Sequence, residues 1–142
     1  MPGMGTDSVP LSDYDELLHR QVHPSWIRDG RITSQAFRPT KKDDKKLSID
    51  RGSLTDPANA FREYVKQGRA SVGVWSVTVG ECGGAKVKAY PDPLPDDPAH
   101  GVIDFSSLPS NSAIEAAGDR LARAARERNA SYLPDSTGGG GA

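Results

Sequence analysis

The chain is poor in the residues that usually announce chemistry. It has one cysteine, Cys82, and three histidines in 142 residues. A single thiol excludes an internal disulfide and suits a reducing compartment, so a cytoplasmic location is expected. No apolar run approaches the roughly 18 residues that a membrane helix needs, and no secretory signal or membrane partner is expected. Neither sign of charge prevails: 18 Lys and Arg stand against 19 Asp and Glu, for a formal net charge of −1. No global field therefore draws the protein to nucleic acid, which is not expected as a partner.

The familiar catalytic patterns are also missing. Ser34, Ser48 and Cys82 lack the strained Gly-x-Ser-x-Gly turn. Gly83-Gly84 is too short for a phosphate loop, and Gly138 to Gly141 belong to a Gly-rich tail. The carboxylate pairs Asp43-Asp44 and Asp96-Asp97 are adjacent in sequence rather than facing, which gives no support to acid–base work. His19 and His23 would stand about 13 Å apart along a strand. Asp96, Asp97 and His100 offer three possible ligands without cysteine support, so no metal is expected.

What is present is a dense polar stretch from His23 to Arg51. It sets histidine, arginines, hydroxyls and carboxylates between short apolar pieces. Polar groups among buried ones must be paired, so this density suggests a lined cleft or a contact surface. As a contact surface it would act through His23, Trp26, Arg31, Ser34, Phe37, Arg38, Asp50 and Arg51, since aromatics and arginines dominate interfaces. The basic run Arg38 to Lys46 reads as a solvated loop.

Length fits one domain. A disordered arm over 1–12, a single domain over 13–133 and a disordered tail over 134–142 are expected. Glu16 to His23 reads as a strand, with a short helix capped by Ser12 as its rival. Arg20 then lies between apolar neighbours on one face. It either points inward to an anionic or carbonyl partner or guards an edge strand, and the edge is preferred.

Asp29-Gly30 is a turn signal. Ile32, Ser34 and Ala36 share a face of a second extended piece, and Leu47 to Arg51 forms another. Asp56 caps a helix that starts at Pro57 and stops at Gly68, with Ala58, Phe61, Tyr64 and Val65 as its apolar stripe.

Ser71 to Val79 reads as a central strand, followed by a Gly83-Gly84 hairpin into Ala85 to Tyr90. Four prolines make Tyr90 to Gly101 a surface loop. Val102 to Phe105 is a strand, and a helix capped by Asn111 carries Ile114, Ala117, Leu121, Ala124 and Ala125 inward. Its outer charges read as a solvated face, and Gly118 weakens it. Val74, Trp75 and Val77 should be buried with Phe61, Ile103, Phe105 and Leu121. The order predicts an α+β fold with a mixed, mostly antiparallel sheet of five to six strands and two helices.

Two resemblances bear on function. Arg20, the segment Gly30-Arg31-x-x-Ser34 and the strand Leu47-Ser48, all ahead of an amphipathic helix, resemble bacterial ADP-ribosyltransferase-type enzymes, particularly RES-like toxins. That resemblance covers about Leu17 to Val79. It implies NAD as cofactor, with Arg20 on a phosphate or ribose and Ser34 or Ser48 at the nicotinamide ribose. The family's catalytic glutamate has only Glu81 and Asp104 as stand-ins.

The chain also resembles small uncharacterised bacterial proteins with a His-Pro…Gly-Arg…Ser-x-Ala-Phe-x-Pro core, which implies no mechanism. The expectation carried forward is a bacterial binding or accessory protein of a multi-component system. It would need no cofactor and would meet a protein partner through 23–51. The NAD-using enzyme is the alternative.

Overall fold

A computed structural model describes residues 9–40 and 44–134. Residues 1–8 of the expected arm, Lys41 to Asp43 of the basic loop, and 135–142 of the tail lie outside the described residues.

The fold is α+β, as the element order implied. Strands β1 (Leu17–Gln21), β4 (Lys46–Arg51), β5 (Val74–Thr78), β6 (Lys88–Pro91) and β7 (His100–Asp104) form one sheet. Its order is β5-β1-β4-β7-β6, and every neighbouring pair is antiparallel. A separate hairpin joins β2 (Ile27–Arg28) to β3 (Arg31–Ile32). Its turn is Asp29-Gly30, with φ of 54° and 77°, the left-handed pair that a tight two-residue turn demands.

Three helices follow: α1 (Pro57–Lys66), α2 (Val79–Gly84) and α3 (Asn111–Arg128). The expected second extended piece is shorter than predicted, because Ser34–Phe37 closes into a 3-10 turn.

The alternation of β1 decides the architecture. Cross-strand register puts Leu18 beside Val77 and Arg20 beside Trp75, on the face that also carries Leu47, Ile49 and Ile103. That face packs on Phe37, Phe105, Ala117, Leu121, Ala122 and Ala125 to form the core. Trp75 is buried as expected, but Phe61 is only half-buried and lies against the Tyr132 ring. Gly118 sits where α3 meets the 3-10 turn. A Cβ there would lie 2.9 Å from the Phe37 carbonyl oxygen, so glycine lets the two backbones touch.

Several expectations are corrected. Arg20 is not on an edge strand, because β1 runs between β5 and β4. The expected central strand, β5, is instead an end strand whose Val74 N–H and carbonyl are engaged by Ser131 and Tyr132. The Gly83-Gly84 hairpin is helix α2. Thr78 Oγ1 accepts from the Glu81 N–H while Glu81 accepts from the Thr78 N–H, a reciprocal cap that ends the strand and starts a helix. Ser110, not Asn111, caps α3.

The outer charges of α3 are also not merely solvated. Arg38 pairs with Asp119 at 2.8 Å, and Arg128 grips Glu81 through two hydrogen bonds of 2.9 and 3.0 Å.

Candidate functional site

The opposite face of the sheet is polar. By the same register it carries His19 and Gln21 from β1, Ser48 and Asp50 from β4, and His100 from β7. Helix α1 roofs this face with Asn59, Ala60, Glu63, Tyr64 and Gln67; of its expected apolar stripe Tyr64 lines the cleft, whereas Val65 is 36% exposed. The proline-rich loop supplies a third wall through Leu94, Asp96 and Asp97. Together they enclose a cleft of about 650 Å³, the size of a small-molecule site.

The cleft opens because two strands part. β1 and β4 pair only at Leu18–Arg51 and His19–Asp50. Arg20 bridges the gap beyond: its Nε donates to the Ala36 carbonyl at 2.8 Å and its Nη1 to the Ser48 carbonyl at 3.0 Å. Its guanidinium also lies 5.0 Å from the centre of the Trp26 ring. The inward arginine thus finds the carbonyl partners that one of the two sequence readings required.

Two floor groups have unmet hydrogen-bonding capacity. Gln21 and Asp50 are 8% and 9% exposed. Gln21 Nε2 and Asp50 Oδ1 are buried and have no hydrogen-bond partner among the described residues. A buried donor or acceptor left unpaired costs about 1–3 kcal/mol, so such atoms lining a cavity suit a ligand or ordered water.

Burial, a hydrogen bond with Asp97 and the Asp97 charge push the Asp50 carboxyl up to about 8, so it is protonated at neutral pH. Beside it, burial holds the His19 imidazole below its ordinary range. A hydrogen bond to the Thr55 backbone and the charges of Asp56 and Glu16 only partly oppose that effect. His19 Nδ1 lies 2.8 Å from Ser76 Oγ, which lies 2.7 Å from Ser131 Oγ.

The third floor arrangement joins Ser48, His100 and Asp92. His100 Nδ1 is 2.9 Å from the Asp92 carbonyl oxygen and 3.2 Å from Asp92 Oδ2. A carbonyl only accepts, so Nδ1 carries a proton, and in the neutral ring Nε2 keeps its lone pair. Nε2 lies 3.1 Å from Ser48 Oγ, which is exposed to the cleft and donates to it.

The residues singled out in the sequence separate into distinct places. Arg20, Trp26, Ser48 and Asp50 line the cleft. Arg31 and Ser34 line a shallow hollow with Arg28 and Arg126, and Ser34 hydrogen-bonds Asp119. His23 caps a 3-10 turn at Ser25 and packs against Trp26.

Phe37 is fully buried, so as a contact residue it is corrected to a core residue. Arg51 is held by Glu16 through bonds of 2.9 and 3.2 Å, and Arg38 by Asp119. The eight expected contact residues therefore do not make one surface. Among the described residues, no three His, Cys, Asp or Glu side chains stand together as a metal site. No described helix is long and apolar enough to cross a membrane.

Gln21, Asn59 and Asp92 were missed as site residues, and His19, Asp97 and His100 were weighed only for metal or acid–base chemistry. For His19 and Gln21 the signal is the two-residue period of the first strand, which puts both on the face opposite Leu18 and Arg20. The comparisons add no further guide: no protein-family model, curated protein or solved structure matches the chain.

Proposed function

We propose that this is a binding protein for a small polar ligand, which it holds in the cleft between the sheet, α1 and the proline-rich loop. The observation that carries this reading is the pair of buried, unpartnered atoms on the floor, Gln21 Nε2 and Asp50 Oδ1. With Asp50 protonated, the floor offers two donors and an acceptor, which suits a carboxamide, a base edge or hydroxyls. The charge balance narrows the ligand. Glu63, Asp96 and Asp97 line the cleft against Arg20 and Arg69, so neutral or cationic molecules are favoured over polyanions.

The NAD-using enzyme is the second reading, favoured by one observation: Arg20 and Ser48 line the same cleft. Ser34 lies in the other hollow and takes no part in it. The carboxylates oppose a pyrophosphate but not the nicotinamide riboside half of such a cofactor. Cys82, buried and unpaired, suits the reducing cytoplasm in which either ligand would be met.

Thermal melting with millimolar nicotinamide riboside, neutral nucleosides and NAD tests both readings. A cleft ligand raises stability by RT ln(1 + [L]/Kd), and Gln21→Ala should remove most of that gain. Stabilisation by NAD alone, retained in Gln21→Ala and lost in Arg20→Ala, would favour the second reading. No stabilisation by any of the three classes would count against both.

A further inference from the structure

The order Ser48, His100, Asp92 has the polarity of a nucleophile, a base and an orienting carboxylate, and it opens on the proposed ligand cleft. We propose that Ser48 is a nucleophile for acyl transfer and that the cleft hydrolyses small neutral or cationic carboxylic esters. This rests on the cleft being a ligand site, and it adds chemistry that binding alone does not require.

The geometry supplies each role. Both partners of His100 Nδ1 come from Asp92, the backbone oxygen at 2.9 Å and Oδ2 at 3.2 Å. They fix the ring and its tautomer, which leaves Nε2 as the acceptor for the Ser48 hydroxyl at 3.1 Å. Ser48 is on a strand, not at the sharp turn of the common serine hydrolases, which is why no motif marks it. Ser48 nevertheless points to the cleft, because the alternation of β4 puts it on the polar face and β1 and β4 part beside it.

A donor for an oxyanion is present in the same cavity: the Gln21 Nε2 amide, which has no partner among the described residues. Asp92 acts through His100 and is a positioning residue.

The step balances without an added reactant. Ser48 Oγ bonds to the acyl carbon as its proton passes to His100 Nε2. The carbon–oxygen bond to the leaving alcohol breaks, and that oxygen takes the proton from Nε2. Water then attacks the acyl-serine and gives its proton to Nε2. The serine leaves the acyl carbon and recovers the proton, and the acid is released.

Incubation of the full chain with an alkyl fluorophosphonate, read by mass spectrometry, tests the proposal. A single adduct on Ser48 is expected, absent in Ser48→Ala. His100→Ala should slow labelling about 100-fold or more, and millimolar imidazole should restore part of it, which a merely structural histidine would not allow. If His100→Ala does not fold, His100→Gln replaces it with the same expected loss.

An unlabelled Ser48 in protein that melts normally would overturn the proposal, as would labelling undiminished without His100. Melting of Ser48→Ala with the stabilising nucleoside separates the two readings. Retained stabilisation with no labelling in the parent protein means that only the acyl-transfer proposal fails. Loss of stabilisation in the parent protein itself means that the ligand site fails.

Discussion

The guanidinium of Arg20 donates to the carbonyl of Ser48 at 3.0 Å, just beyond the point where the β1–β4 ladder stops. The same side chain reaches the Ala36 carbonyl on the 3-10 turn. One arginine therefore holds three segments at the mouth of the cleft.

Arg20→Ala should destabilise the protein by about 1.5–3 kcal/mol, the range for hydrogen bonds to a charged group. Arg20→Lys should recover little, because an ammonium cannot span two carbonyls set by a planar fork. Urea unfolding of the three proteins measures this.

Gly118→Ala sets two effects against each other. Alanine gains about 1 kcal/mol over glycine inside a helix. Its Cβ, however, would meet the Phe37 carbonyl oxygen at 2.9 Å and Arg38 Cγ at 2.8 Å. Backbone cannot yield as a flexible tip can, and overpacking costs about 1–3 kcal/mol. A lower melting temperature is expected, whereas helix propensity alone predicts a higher one.

Much of the scaffold was legible. The alternation of Leu18, Arg20 and Val22, the cap at Asp56 and the stripe through Ile114, Ala117 and Leu121 all follow from period and capping. The misreadings share a cause: a local rule was masked by a neighbouring one. Thr78-Val-Gly-Glu81 is a capping box, but it overlaps the end of the valine-rich run to Val79, and the Gly83-Gly84 pair behind it signals a hairpin instead. The cleft was hidden differently. Gln21, Asp50, Asn59, Asp97 and His100 come from segments far apart in sequence, and the proline-rich loop that looked like mere surface is one of the cleft walls.

Stability should fall as pH rises through the neutral range, because of Asp50. Its folded value is raised to about 8 from an ordinary 3.8, so the folded state holds a proton that the unfolded state has released. Its penalty is absent below about pH 4, grows between about pH 4 and 8 and is complete above. Asp50→Asn should flatten that slope when urea unfolding is compared at pH 5 and pH 8.

At the acid end the sign reverses. Burial opposes ionisation of Glu16 and Glu81, but hydrogen bonds to Glu16 from Arg51 and Ser53 and to Glu81 from Arg128 and Thr78 outweigh it. Both values are lowered, so the stability they give is lost as pH falls through the carboxylate range in both proteins.

Cys82 is buried in α2, and burial together with the Glu81 charge pushes its thiol up to about 12. The native protein should be inert to a disulfide-exchange reagent at pH 8, since only thiolate reacts. Full reaction should appear in denaturant.

The ligand site is tested most directly by the side-chain amide signals of Gln21 in the 15N-labelled protein. Small neutral molecules that pair a carbonyl with an N–H or hydroxyl should shift the Gln21 Nε2 resonances together with the backbone amides of Asp50 and Asp97. Binders that move Arg31 and Arg126 at the second hollow while leaving Gln21 unchanged, or a full set of such molecules that moves nothing, would contradict it.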